Sequence, residues 1–326
     1  MLNEEEIDIY DRQIRIWGHD VQKKIKNYSI MLIGFSGLGW EISKNLILYG
    51  IKTLCIMDNK TVTHNDLKSN LYLKEDDIGN NRAECSISSL KYLNPNVQII
   101  VETKFPDNFH SANIYKDFDL VIMNDVSYKI AQDINNYVHQ IGKKCIYTRN
   151  FFLYGYIIYD FGSFQYNIPQ KPNEITQETN NSNINFIKYP SFSNLLINSE
   201  FNDKIFSLKK SGNLKKTYVI IKAILELEES ESKADKCAKI NGNSSVKMLQ
   251  SLNTRIATSL KPFDLEDSNV PDFRKYPLTE FNPVCAVLAG FLCQELIKIL
   301  SSSKPSGNLM LYDGSVFEAD TLQLTN

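Results

Sequence analysis

The stretch Ile30–Asp58, IMLIGFSGLGWEISKNLILYGIKTLCIMD, decides the fold. Ile30 to Ile33 is a short apolar run with the character of a buried parallel strand. It enters a glycine turn at Gly34, Gly37 and Gly39. A helical pattern follows, with Ile42, Leu46 and Ile47 on one face, and a second apolar run, Thr53 to Met57, ends on Asp58. Strand, glycine turn, helix, strand and acid in that order predict the opening βαβ unit of a nucleotide-binding sheet. Glycine lets a backbone approach phosphates, and a helix N-terminus offers free N–H groups. The spacing is GxxGxG, where the common fingerprint is GxGxxG, and Phe35 falls where the turn is tightest. A bulky ring there would crowd a pyrophosphate. The turn therefore keeps its place in the fold either with a nucleotide or without one.

Working outward, Glu4 to Lys26 reads as helical, with Ile14 and Trp17 laid on the core and Arg12 and Arg15 solvated. Beyond Asp58, a helix runs to Leu90. Strands are predicted at Val97–Val101, Leu120–Met123 and Lys144–Thr148, with a helix over Lys129–Ile141. This alternation predicts an α/β, doubly wound, mainly parallel sheet. Gly155–Asp160 changes the pattern and reads as an antiparallel edge. From Asn167 to Asn185 the chain is polar and reads as a mobile loop. Phe186–Ile197 is more apolar, Phe206–Leu227 turns helical, and a polar connector starts at Glu228. A further helix is predicted over Ser251–Leu265. Asn282-Pro283 is an N-cap and first-turn proline for a largely apolar helix, on which Ala286, Ala289 and Gly290 would admit a close backbone. Asn308–Tyr312 and Val316–Glu318 flank the turn signal Asp313-Gly314. The domain organisation follows: 1–166 as the N-terminal part of the sheet domain, 167–276 as an inserted, partly flexible and helical section, and 277–326 as the return to the first domain.

The balance of charge narrows the partners. With 326 residues, 43% hydrophobic and 23% charged, the composition is that of a globular protein, and a net charge of −2 gives no basic field for nucleic acid or an anionic membrane. Val284–Cys293, the longest purely apolar stretch, is about half of the ~20 residues a membrane span needs. The acidic N-terminus carries no apolar signal core. Six cysteines without a CxxC pair and four histidines without ligand spacing predict no metal site. Cys55, Cys145, Cys285 and Cys293 read as packing residues, Cys85 is ambiguous, and Cys237, between Lys236 and Lys239, is the most thiolate-friendly.

Three stretches together carry a family: YDRQIRIWG, the GFSGLGWEISKNLILYGIKTLCIMD unit, and NPVCAVLAGFLCQELIK followed by LYDG. They resemble the ubiquitin-like-protein-activating enzymes, and within them the smaller, non-catalytic type of subunit of the heterodimeric SUMO-activating enzyme. The resemblance implies two pseudo-symmetric adenylation halves. One binds ATP and Mg2+ and activates a modifier's C-terminus; the other is degenerate. Active halves carry an arginine in an NLNRQF-like stretch, and Ser69 stands at that place in Asp66-Leu67-Lys68-Ser69-Asn70-Leu71. Ser127 stands where a metal-binding aspartate is expected, with Asp125 close by, and Lys68 or Arg82 could partly substitute for the missing arginine.

The resemblance thus implies a pseudo-site with vestigial Gly34, Gly37, Gly39 and Asp58, no cofactor and no metal held by this chain, and ATP and Mg2+ on the partner. It implies Arg12 acting in trans on the partner's ATP, a catalytic partner subunit bearing the thioester cysteine, a SUMO-type modifier reached through the complex, and a nuclear and cytoplasmic location. Three alternatives remain open from the residues: a self-sufficient homodimeric adenylating enzyme of the sulfur-carrier-activating type, a nicotinamide-dependent oxidoreductase, and the regulatory subunit for the cullin-modifying protein.

Overall fold

A computed structural model of the chain describes residues 2–106, 108–109, 112–167, 184–192, 212–234, 251–256, 258–259 and 279–323. Three short helices open it: α1 (Glu4–Ile9), α2 (Asp11–Trp17) and α3 (His19–Lys26). Then come β1 (Ser29–Ile33), α4 (Gly37–Tyr49), β2 (Thr53–Met57), α5 (Asp66–Ser69), α6 (Arg82–Leu93), β3 (Gln98–Glu102), α7 (Ala112–Tyr115), β4 (Leu120–Asn124) and α8 (Tyr128–Gln140). The second half holds β5 (Lys144–Phe151), β6 (Tyr154–Asp160), β7 (Ser163–Asn167), β8 (Ile184–Lys188), α9 (Gly212–Ala234), α10 (Asn282–Leu300), β9 (Leu309–Asp313) and β10 (Glu318–Leu322).

Eight strands form one sheet in the order β10-β9-β6-β5-β4-β1-β2-β3, and β7 pairs with β8 in a separate hairpin. The five strands from β5 to β3 run parallel, while β6, β9 and β10 add on antiparallel. Sheet parity divides the core. Met31, Ile33, Cys55, Met57, Val121 and Met123 face one layer, with α8 and α9 on it. Ile30, Leu32, Leu54, Ile56 and Ile122 face the other, covered by α4 and α10. Central strands buried on both faces read as unbroken apolar runs, which is why β1, β2 and β4 are plain in the sequence.

Several elements depart from the sequence expectation. The Glu4–Lys26 helix is three helices, broken at Tyr10 and at Gly18, whose φ is +84°. Neither Ile14 nor Trp17 is the main anchor, since both are only half-buried; Tyr10 is. Its ring fills the space where a Cβ on Gly50 would sit, 2.3 Å from its hydroxyl, and that hydroxyl accepts from Asn94 Nδ2 at 2.8 Å. β6 is not an edge, because β9 pairs on its far side. The last strand starts at Glu318, where the expected one ended, since residues 314–317 form the turn. Phe281, not Asn282, is the N-cap residue of α10, and the Asn282 amide instead donates to Ser69 O at 2.9 Å. By length and composition α10 could cross a membrane, yet it lies in the core against α4 and β6. Its close approach to the sheet uses Gly155 of β6, where a Cβ would lie 2.4 Å from Leu288 Cδ1. Of the three small residues Ala286, Ala289 and Gly290 on α10, only Ala289 is buried; Ala286 is exposed, and a Cβ on Gly290 would meet nothing within 4 Å.

The section 167–276, read from the sequence as an insertion, is described only in part. β7 straddles its start, and β8 overlaps the end of the stretch read as a loop. Residues 168–183, residues 193–197 of Phe186–Ile197, the connector beyond residue 234 and Cys237 lie outside the described residues. α9 spans more than the helix expected there, and Arg149 on β5 holds it through Glu228, with Nη1 at 2.7 and 2.6 Å from the two carboxylate oxygens.

Gly34 has φ +85°, and a Cβ there would fall 1.7 Å from Asn124 O. Gly34→Ala is expected to destabilise the chain by about 2–4 kcal/mol in urea unfolding, because a backbone atom cannot step aside. Gly290→Ala, with open space at its Cβ, is expected to be neutral or to stabilise the isolated chain by up to ~1 kcal/mol.

Candidate functional site

The carboxyl ends of β2 and β4 meet on one guanidinium. Asn81 caps α6, accepting from Ala83 N and Glu84 N, and its amide donates to Asp58 O at 2.7 Å, which sets Arg82 beside the end of β2. Arg82 then makes a two-pronged bond to the fully buried Asp58, Nε to Oδ2 at 2.9 Å and Nη2 to Oδ1 at 3.0 Å. Its remaining donors reach Asp66 Oδ1 at 3.0 Å and Asp125 Oδ2 at 2.9 Å. Lys60 Nζ lies 2.9 Å from the same Asp125 oxygen. Burial opposes the charge on Arg82, but the hydrogen bonds and charge of Asp58, then Asp125 and Asp66, outweigh it and hold the guanidinium pKa above its ordinary value. Burial likewise raises Asp125, and the opposing pull of Arg82 and then Lys60 leaves it below the ordinary carboxylate range.

Three carboxylates against two cations leave this cluster one negative charge over. The arrangement does not leave Arg82 free for phosphate. The sequence expectation that Arg82 could partly substitute for a phosphate-binding arginine is therefore corrected: its donors are taken by the acids beside it. Asp58 is paired with Arg82. Lys68 is exposed and reaches only Asn65. Ser127 caps α8, while Asp125 turns into the cluster at φ +52°. Among the described residues no group of three or more acidic, histidine or cysteine side chains is placed to hold a metal ion.

The glycine turn beside this cluster has an anion of its own. Ser36 precedes α4 and donates from Oγ to Glu280 Oε1 at 2.6 Å, while Leu38 N donates to Glu280 Oε2 at 3.2 Å. Asn124 Nδ2 completes the chain by donating to Ser36 Oγ at 2.6 Å. A carboxyl group from residue 280 thus sits at the N-terminus of α4, on the Leu38 N–H and the Ser36 hydroxyl. Burial, and then the nearby charge of Asp125, push the Glu280 carboxyl up to about 7. Ser69 closes the other side: a Cβ on Gly37 would lie 2.6 Å from Ser69 Cβ, so only glycine fits opposite it. Phe35 does not crowd the turn as the sequence suggested. Its ring is buried in the α4 layer, edge-on to Trp40 with centroids 6.4 Å apart. The Glu280 contact has no linear signal, since its partner lies 244 residues away.

Arg12 stands apart from all of this. It is exposed on α2, and no hydrogen bond or ion pair engages it among the described residues. Arg15, by contrast, is tied to Asp11 at 2.9 Å. α2 is fixed by Tyr10, by Gln13 Nε2 donating to Leu48 O at 2.9 Å and by Trp17 against Tyr49, with ring centroids 5.4 Å apart. Cys55, Cys145, Cys285 and Cys293 are buried, and burial raises their thiols above the ordinary range. Cys85, half-buried, is also raised, by burial and then Asp77, so it is not activated. His19 and His64 are exposed, as read from the sequence. His139 is not a plain surface residue, because Nδ1 lies 2.7 Å from the buried Asp160. His110 lies outside the described residues.

A doubly wound sheet with a glycine turn after β1 and an acid after β2 is the frame of an adenylation fold, and the chain belongs to the ThiF family, which matches residues 10–326. It is similar to SUMO-activating enzyme subunit 1 of Bos taurus, with 29% identity over 338 residues covering 96% of this chain and 93% of that protein. The Homo sapiens protein of the same name gives 28% over 334 residues, 96% and 93%. That of Dictyostelium discoideum gives 28% over 322 residues, 96% and 92%. Among solved structures, selenomethionine PaaA superposes with a TM-score of 0.59 at 13% identity, over 100% of this chain and 75% of that one. The structure of E. coli MccB with MccA-N7isoASN gives 0.57 at 15%, over 98% and 72%. At such identities these two define the fold alone.

Removing Arg82 would leave a buried Asp58 without its cation. Arg82→Ala is expected to cost about 3–5 kcal/mol in chemical denaturation, with Asp58→Asn in the same chain recovering part of it. Glu280 gives a pH test. Its folded pKa lies above its unfolded one, so the folded state holds the proton more tightly. That stability is present below the ordinary glutamate range and is lost as pH rises towards about 7. The lowered Asp125 acts in the opposite sense at more acidic pH. The expected readout is therefore the difference between wild type and Glu280→Gln, which should move in favour of the variant between about pH 4.5 and 7.

Proposed function

We propose that this chain is the regulatory, catalytically degenerate subunit of a heterodimeric SUMO-activating enzyme. One observation carries the reading: the nucleotide end of the sheet is already filled by the chain's own charges. Arg82 is shared among Asp58, Asp66 and Asp125, and Glu280 occupies the N-terminus of α4. With no cation of this cluster free for phosphate and no carboxylate of it free for Mg2+ among the described residues, the site cannot balance the charge of adenylation. The similarity to SUMO-activating enzyme subunit 1 along 96% of the chain supplies the class of complex.

In this reading ATP and Mg2+ are bound by the catalytic partner subunit, which adenylates the C-terminus of a SUMO-type modifier and then takes it as a thioester. The complex works in the nucleus and cytoplasm. Gly34, Gly37, Gly39 and Asp58 keep a fold role only. Arg12 is the residue this chain lends. It is charged and exposed without a partner of its own, on a helix pinned by Tyr10 and Gln13. A guanidinium can make two parallel hydrogen bonds to phosphate oxygens, which suits the charge that builds on pyrophosphate as it leaves the α-phosphate.

Arg12→Ala should leave the heterodimer assembled and slow ATP–pyrophosphate exchange by about 10²–10³-fold, with Arg12→Lys recovering only part. Arg15→Ala, already paired in the chain, should do much less. Unchanged exchange in Arg12→Ala would return Arg12 to a solvated helix position. Calorimetry of the chain alone should detect no micromolar Mg-ATP binding. Exchange by the isolated chain would instead favour the homodimeric adenylating enzyme.

A further inference from the structure

The amino edge of the sheet, opposite the Arg82 cluster, encloses a cavity of about 500 Å³. Small-molecule pockets commonly span ~300–1,000 Å³. Tyr28, just before β1, Lys144, which opens β5, and the end of α10 at Ile299 and Leu300 all line it. Its charge is one-sided. Lys24, Lys144 and Lys188 approach from α3, β5 and β8, and His139 from α8. Lys24 Nζ is held by Leu300 O at 2.8 Å, a neutral acceptor that leaves its charge uncompensated. Neither the Lys144 nor the Lys188 side chain makes an ion pair or hydrogen bond among the described residues, although the charge of Asp119 acts on Lys144. The acids around it are already engaged: Asp119 accepts from Ser29 N at 2.8 Å, Asp160 lies beneath His139 with Asn135 Nδ2 at 2.8 Å, and Glu295, which faces Tyr189, accepts from Lys298 Nζ at 2.6 Å and Ser306 N at 2.9 Å.

The walls are aromatic. Phe161 and Tyr189 form an edge-on pair with centroids 5.0 Å apart, and Tyr28 lies across the cavity wall.

We infer that this cavity binds a small phosphate monoester carrying a planar ring, the phosphate meeting Lys24, Lys144 and Lys188 and the ring lying against Phe161 and Tyr189. Burial holds the Lys144 ammonium pKa below its ordinary value, and an anion beside it would offset that cost. Three ammonium-bearing side chains lining one cavity from three separate elements suit a compact acceptor with several oxygens, as phosphate is and a lone carboxylate is not. The site lies away from the carboxyl ends of the strands, where ligands of open α/β sheets ordinarily bind. It does not depend on the function proposed above.

The test is calorimetric titration of the full chain, alone and in its heterodimer, with phenyl phosphate, inorganic phosphate and benzyl alcohol as probes. Saturable binding of phenyl phosphate is expected, at least about tenfold tighter than inorganic phosphate, with none for benzyl alcohol. Lys144→Met and Lys188→Gln should each weaken it by about tenfold. Lys188 is exposed on β8, so its variant keeps the fold should Lys144→Met fail to. Absence of saturable phenyl phosphate binding, or equal binding by Lys188→Gln, would overturn the site. Equal affinity for inorganic phosphate would overturn the ring-bearing ligand. None of these outcomes bears on ATP–pyrophosphate exchange, so failure here and failure of the regulatory reading are told apart.

Discussion

A charge shared among three acids governs the carboxyl end of this sheet. Arg82 joins the end of β2 through Asp58, the loop after it through Asp66 and the end of β4 through Asp125. Each acid alone would be costly so far from water, and Asp58 is fully buried. Together they fix three segments that the parallel strands would otherwise leave as independent loops. A buried ion pair is weak evidence of net stability, because desolvation offsets much of the attraction. What the cluster contributes is geometry: the two-pronged Asp58 bond admits one orientation of Arg82, and that orientation sets where Asp66 and Asp125 must stand.

The glycine turn follows the same logic with the sign reversed. The first N–H groups of α4 need an acceptor, and Glu280 provides one from within the chain. The turn is thus satisfied without a ligand on both counts, cation and anion. Retaining Gly34 and Gly37 needs no nucleotide to explain it. Gly34 passes against the Asn124 carbonyl, and Gly37 against Ser69.

Legibility in the sequence tracked how local each interaction is. The doubly buried strands β1, β2 and β4 announce themselves as apolar runs, and the βαβ unit follows from its glycines. The place of β6 was not legible, because its second neighbour, β9, lies some 150 residues on. Phe35 was misread because its position in the turn says nothing of which way the ring points. Glu280 and Tyr10 were missed because each matters only through contacts made by tertiary packing, with Ser36 and Asn94. Ser69 was singled out by its place in a resemblance and Asp58 by the βαβ pattern, and the structure adds what they do: one packs on a glycine, the other holds an arginine.

The late position of β9 and α10 bears on how the chain is made. During synthesis, β6 emerges with one side of its backbone ladder unpaired and the α4 layer of the sheet uncovered until residues 282–313 follow. Glu280 and Asn282 arrive in the same interval and close the turn over Ser36 and Ser69. A nascent chain halted before that point would present an open strand edge beside bare apolar surface, the combination most prone to associate with its neighbours. Contacts this distant in sequence also make the last step of folding slow. The interval before the C-terminal segment docks is therefore when a chaperone has most to shield.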